Sequence, residues 1–105
     1  MDGQCLVLIT CGDSAEASEI SHQLVESRLA AGVQIVPIES IYRWDGEIVE
    51  DQEWLMLVKT RRDRFEEIES VVSEMHSYVV PPVLMVAMDA GSNPYLDWVA
   101  ENTSG

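Results

Sequence analysis

At 105 residues and 47% hydrophobic content, the chain supports one ordinary core and one domain, residues 1–105. Its 19 Asp and Glu against 6 Lys and Arg give a net charge of −13, which excludes nucleic acid and anionic membrane as partners because both repel it. No apolar run approaches the ~20 residues of a membrane-spanning helix, and the stretch MDGQCLVLITCGDS carries Asp2 and no basic n-region, so a soluble, cytoplasmic protein is expected.

Gln4 to Thr10 is an apolar run of strand length with both faces apolar, which predicts a central strand. Cys5 and Cys11 fall on or next to this strand, ~20 Å apart at ~3.3 Å per residue. A disulfide needs Cα atoms within ~7 Å, so the two do not bridge, and the pattern fits a reducing compartment. Asp13-Ser14-Ala15-Glu16 is a capping-box pattern. The apolar spacing of Ala17, Ile20, Leu24 and Ala31 predicts a helix from Ser14 to Ala31, with Gly32 in the left-handed position after it. His22 faces away from that stripe.

Val33 to Thr60 predicts one long β-hairpin turning at Asp45-Gly46, two residues that tolerate the positive φ of a type I′ turn. Pro37 belongs at an edge or a bulge, since it donates no ladder hydrogen bond. Trp54 to Val58 is apolar on both strand faces. One face can pack on helices; the other needs a second subunit. Asp63 to Glu66 repeats the capping-box pattern ahead of a helix carrying Phe65, Ile68, Val72 and Met75, which ends near His76. Pro81-Pro82 blocks its continuation. Val83 to Met88 predicts a last strand. Asn93 as N-cap and Pro94 at the first helical position open a short helix with Tyr95, Trp98 and Val99 as its buried face. The polar tail after Glu101 is expected to fray. The order β-α-β-β-α-β-α is α+β and ferredoxin-like: βαββαβ with a long central β-hairpin and a C-terminal helix.

Leu29-Ala30-Ala31, Ile35-Val36-Pro37, Ser40-Ile41-Tyr42-x-Trp44-x-Gly46, Val58-Lys59-Thr60 and Pro94-Tyr95-Leu96-Asp97-Trp98 together resemble the CutA family, the divalent-ion tolerance proteins. The resemblance spans nearly the whole chain. It implies a homotrimer packed through the sheets and hairpins, a link to divalent metal tolerance with copper bound in some members, no required cofactor and no established catalysis. A copper site of one bacterial branch uses a first-strand Cys and two adjacent His, positions aligned here with Ile9, Met75 and His76. Cys11 lies two residues beyond the Cys position, and Met75 carries a soft sulfur. The chain also departs from the family at Gly32, where many members have Cys, at Ser77, where they have Pro, and at Pro82, where they have Glu.

The candidate metal ligands are therefore His76, Cys11, Met75 and Glu53. Imidazole, thiolate and thioether suit copper, and His76 also suits zinc. Each has a plainer role: His76 as a helix cap, Cys11 as a small buried residue. Glu47, Glu50, Asp51 and Glu53 crowd the second hairpin strand as a solvated edge or an oxygen site for a hard cation, and Glu53 can pair with Arg43 across the strands. Tyr42, Trp44, Trp54 and Tyr78 are either interface anchors or walls of a small-ligand cleft between subunits. In that second case the protein resembles the trimeric PII signalling modules, with Lys59 and nearby Arg61, Arg62 and Arg64 offering anion contacts, although no Gly-rich phosphate loop occurs. No Ser/His/Asp set or carboxylate dyad is evident, and the loop Cys11-Gly12-Asp13-Ser14 has no cationic cradle. An enzyme is not expected.

Overall fold

The computed structural model describes residues 3–104; Asp2 lies outside them. The elements are β1 (Gln4–Cys11), α1 (Ser14–Glu26), β2 (Gly32–Trp44), β3 (Glu47–Arg61), a single 3-10 turn (Arg62–Arg64) leading into α2 (Phe65–Met75), β4 (Val83–Ala87) and α3 (Asn93–Asn102). They form one antiparallel sheet in the order β2-β3-β1-β4. This is the expected ferredoxin-like α+β arrangement. Asp45 (φ 51°) and Gly46 (φ 78°) close the hairpin as two consecutive left-handed residues, as a type I′ turn requires. Pro37 lies on the edge strand β2, where its missing N–H breaks no outer ladder.

The alternation of strand side chains divides the residues cleanly between the sheet faces. Cys5, Val7, Ile9 and Cys11 of β1 and Met56 and Val58 of β3 are fully buried against Ile20 and Leu24 of α1 and Ile68 and Val72 of α2. The other face carries Leu6 and Leu8 of β1 opposite Lys59 and Leu57 of β3, with Leu84 and Val86 of β4 beside them, 51% and 43% exposed. Helix α3 covers only one end of this face. Gln4 Nε2 donates to the Leu96 carbonyl at 3.1 Å, and Gly32 leaves room for the Trp98 ring, which a Cβ there would meet at 3.1 Å.

Several boundaries differ from the sequence expectations. Helix α1 stops at Glu26, not Ala31, because Arg28 takes the left-handed position (φ 63°), and the N–H groups of Leu29 and Ala30 both return to the Leu24 carbonyl. Gly32 begins β2 instead. The second capping box does not form: α2 is entered from the 3-10 turn with Arg64 at the N-cap and no side-chain cap. Ser92, not Asn93, takes the N-cap position of α3, without a side-chain cap bond, and the helix buries Leu96 and Val99 while Tyr95 and Trp98 remain 41% exposed. The cross-strand register sets Glu53 opposite Ile38 and Arg43 opposite Ile48, so those two charges do not pair.

The tail is held in place through Ser104, the last described residue. Thr103 is fully buried, and three guanidinium groups converge on the last carbonyls of α3. Arg64 donates through Nε and Nη2 to Thr103 O at 3.0 and 2.8 Å, Arg61 Nη2 donates to the same oxygen at 2.9 Å, and Arg28 donates to Glu101 O and Ser104 O, both at 2.7 Å. Cations at a helix C-terminus oppose its partial negative charge. Replacing Arg64 by Ala is expected to lower unfolding stability by about 1–3 kcal/mol in urea titrations, with Arg64→Lys restoring only part because it lacks the two-pronged donor set.

Candidate metal centre and acidic cleft

The end of β1 runs into the loop that starts α1, and the end of α2 returns beside it. There, one ligand atom each of Cys11, Glu16 and His76 lie within 4.8 Å of one another, the one such group of His, Cys, Asp or Glu among the described residues. Asp13 caps α1 as expected, accepting from Ala15 N–H at 2.9 Å. Glu16 does not complete the capping box. Its carboxylate crosses to the other helix and accepts from Ser77 N–H at 2.9 Å and Ser77 Oγ–H at 3.1 Å.

His76 is held at both ring nitrogens. Nε2 lies 2.7 Å from the Thr10 carbonyl, which can only accept, and Nδ1 accepts from Tyr78 N–H at 3.1 Å. The partners thus assign the neutral Nε2–H tautomer. Its backbone N–H closes α2 on the Val72 carbonyl at 2.8 Å, so the cap reading holds. Nδ1 is also 3.8 Å from Glu16 Oε1. The Cys11 thiol donates to Met56 Sδ at 3.7 Å. Burial pushes this thiol up to about 12, helped by the negative charges of Glu16, Glu53 and Asp13. That field disfavours a thiolate and favours a cation. Cys5 and Cys11 are both free and buried.

Of the four ligands expected from sequence, the structure brings Cys11 and His76 together. Met75 faces outward, 38% exposed at the end of α2, and Glu53 is engaged elsewhere. Their places are taken by Met56 and Glu16, which the sequence analysis missed. Glu16 reads as a helix cap. Met56 reaches Cys11 only because β3 lies beside β1 in a register that sets it opposite Ile9.

On the far side of β1, a cleft of about 730 Å³ opens between the hairpin and the segment after α2. Tyr42, Trp44, Glu53 and Tyr78 line it, with Glu39 and Val79. Glu53 is only 5% exposed and accepts from Tyr78 Oη–H at 2.6 Å. Gly12 makes room for that ring: a Cβ there would stand 2.6 Å from the Tyr78 oxygen. Burial, then the bond to Glu53, raises the Tyr78 phenol well above its ordinary value. Tyr42 Oη–H donates to Asp51 Oδ2 at 2.7 Å, and this bond is the main reason its phenol is pushed up to about 12. Trp54 and Lys59, named beside these residues for a cleft or interface between subunits, do not line this cleft within the chain. Trp54 sits across from Cys11 and packs on the helix-side core. Lys59 lies on the open sheet face and bonds the Gln34 side chain; partial burial lowers its pKa.

With the sheet order, the partly buried Cys–Glu–His cluster and the aromatic cleft in place, the chain is a small ferredoxin-like protein with polar sites at the mouth of its central strand. The CutA1 divalent ion tolerance protein family matches residues 5–102, and the chain belongs to that family. It is 48% identical over 99 residues to the divalent-cation tolerance protein CutA of Thermus thermophilus, covering 93% of this chain and 96% of that one. The protein of the same description from Archaeoglobus fulgidus is 39% identical over 95 residues, 90% and 93% of the two chains. Among solved structures, the periplasmic divalent cation tolerance protein CutA of Archaeoglobus fulgidus superposes with a TM-score of 0.94 at 37% identity, over 96% of this chain and 99% of that one. CutA1 of a psychrotrophic Shewanella gives 0.93 at 38% identity, over 99% and 98%.

The Tyr42–Asp51 bond yields a measurable titration. A phenol whose proton is held more tightly in the folded state adds stability that is complete below the ordinary value of 10.0 and is lost as pH rises through about 12. Replacing Asp51 by Ala is expected to move the Tyr42 midpoint down toward 10.0, read as the difference in phenolate absorbance between the native chain and the Asp51→Ala variant.

Proposed function

We propose that the chain is a non-enzymatic, homotrimeric protein of divalent metal tolerance that binds metal directly at Cys11, Glu16 and His76. The observation that carries the reading is the convergence of these three ligand atoms within 4.8 Å. Sulfur, imidazole nitrogen and carboxylate oxygen suit Zn²⁺ and copper, and the neighbouring Met56 thioether favours Cu(I). The metal is cargo here and drives no reaction. Cys11 gives up its proton, His76 offers Nδ1 in place of the Tyr78 N–H, and Glu16 turns from Ser77. Uptake therefore releases the Cys11 proton. The trimer is supported by the leucine-rich sheet face that α3 leaves open, which a second and third copy would cover.

Titration of the reduced protein with Cu(I), Cu²⁺ and Zn²⁺ by calorimetry is expected to show saturable binding well below ~1 mM. Binding is lost in Cys11→Ser and weakened in Glu16→Gln. Light scattering is expected to give three chain masses. A protein that takes up none of the three metals, or that is monomeric, removes the corresponding half of the proposal.

A second reading, a PII-like module holding a small ligand in a cleft, is favoured by one observation: the aromatic cleft beside Tyr78. The anion contacts expected for it, at a cleft between subunits, do not line that cleft within the chain. Lys59 bonds Gln34, and Arg61 and Arg64 hold the end of α3. The lining of Glu39, Glu53 and aromatic rings suits a ligand of other chemistry.

A further inference from the structure

The cleft between the hairpin and the Tyr78 segment has a definite chemical character. Its volume of about 730 Å³ fits a small organic molecule. Glu53 and Glu39 line it, and among the described residues no Lys, Arg or His does. Glu53 is nearly buried, with Oε2 tied to Tyr78, so its charge sits in surroundings poorer in water than the surface acids. Three aromatic rings, Tyr42, Trp44 and Tyr78, stand around the same space. Each phenol donates its proton to a carboxylate. Those bonds fix the rings and leave them richer in electrons, which strengthens their attraction for a positive charge above the ring.

We propose that this cleft binds a small organic cation, an ammonium group carried on an apolar body, with the charge on Glu53 and the rings of Tyr42, Trp44 and Tyr78 and the body against the Val79–Pro82 wall. An anionic ligand is excluded by the two carboxylates. A bare hard cation gains nothing from the rings or from the apolar wall, which a metal with its water shell does not contact favourably. The inference rests on and deepens the small-ligand reading of the cleft, and it requires no metal at Cys11. Because Thr10, a residue of the open sheet face, also lines the cleft, copies that cover that face abut it, so the intact assembly is the species to test.

Three probes share one body and differ in charge: 2-phenylethylammonium, 2-phenylethanol and phenylacetate. Each is titrated into the intact native protein, read by calorimetry and by tryptophan fluorescence, the Trp44→Leu variant separating the Trp44 signal from those of Trp54 and Trp98. The ammonium probe is expected to bind saturably, about tenfold more tightly than the alcohol, equivalent to ~1.4 kcal/mol, and phenylacetate not at all. Glu53→Gln keeps an acceptor for Tyr78 and is expected to remove the preference for the ammonium over the alcohol. Trp44→Leu is expected to weaken the ammonium probe several-fold, with light scattering on the variant checking that it assembles as the native chain does. Equal binding of alcohol and ammonium would leave a ligand cleft but overturn its cation selectivity. Failure of all three probes would overturn the cleft as a ligand site. An ammonium affinity untouched by both variants would place the binding elsewhere and overturn the assignment.

Discussion

The register of the long hairpin is the constraint on which the rest of the structure depends. Asp45 and Gly46 close it with two left-handed residues, and thirteen successive pairs then follow from Trp44↔Glu47 to Gly32↔Lys59. Side chains alternate between faces, so a slip of one residue would exchange every one of them. In the observed register Met56 and Val58 meet α1 and α2, while Leu55 and Leu57 point to the open face. Met56 thereby reaches Cys11, and Glu53 reaches the phenol of Tyr78. Both sites owe their composition to the register that this turn sets.

Charge is distributed in the molecule to a purpose that net charge conceals. Half of the basic residues, Arg28, Arg61 and Arg64, hold the carbonyls at the end of α3. They fix the one helix that covers part of the open sheet face. The acids are thereby left with few partners, and most are solvated. The exceptions are Glu16 and Glu53, each bound by a hydrogen-bond donor from the segment after α2, Ser77 for one and Tyr78 for the other. That segment, His76 to Tyr78, is the joint between the two sites. His76 bonds Thr10 of β1 on one side and Tyr78 N–H on the other. A metal taken by His76 Nδ1 would compete with the bond that positions Tyr78, so occupancy of the cluster and shape of the cleft are physically connected.

The element order, the turn, the edge position of Pro37 and the two-faced character of β1 and β3 were legible in the residues themselves, because they follow from local chemistry: positive φ at Asp-Gly, a missing N–H at Pro, and period-two or 3.6 spacing of apolar side chains. The same local rules misplaced the end of α1, since Arg28 accepts a left-handed backbone that propensity assigns to Gly32, and its guanidinium is held there by the end of α3. They also misread Asp63, because the chain enters α2 through a 3-10 turn instead of a capped start.

The sites divide in the same way. Cys11 and His76 stand out by residue type, and Tyr42, Trp44 and Tyr78 by aromatic weight near the hairpin. Their partners do not. Glu16 resembles any first-turn acid, and Met56 any core residue of a strand. Lys59 stands out as the one lysine, and only the sheet shows that its neighbour is Gln34. By itself the sequence determined the fold, the buried strand and the need for cover on the second sheet face, because burial patterns are written in one dimension. Only the tertiary structure decided which donors meet, since Cys11 with Met56, Glu16 with Ser77 and Glu53 with Tyr78 are contacts across 45, 61 and 25 residues that no local spacing encodes.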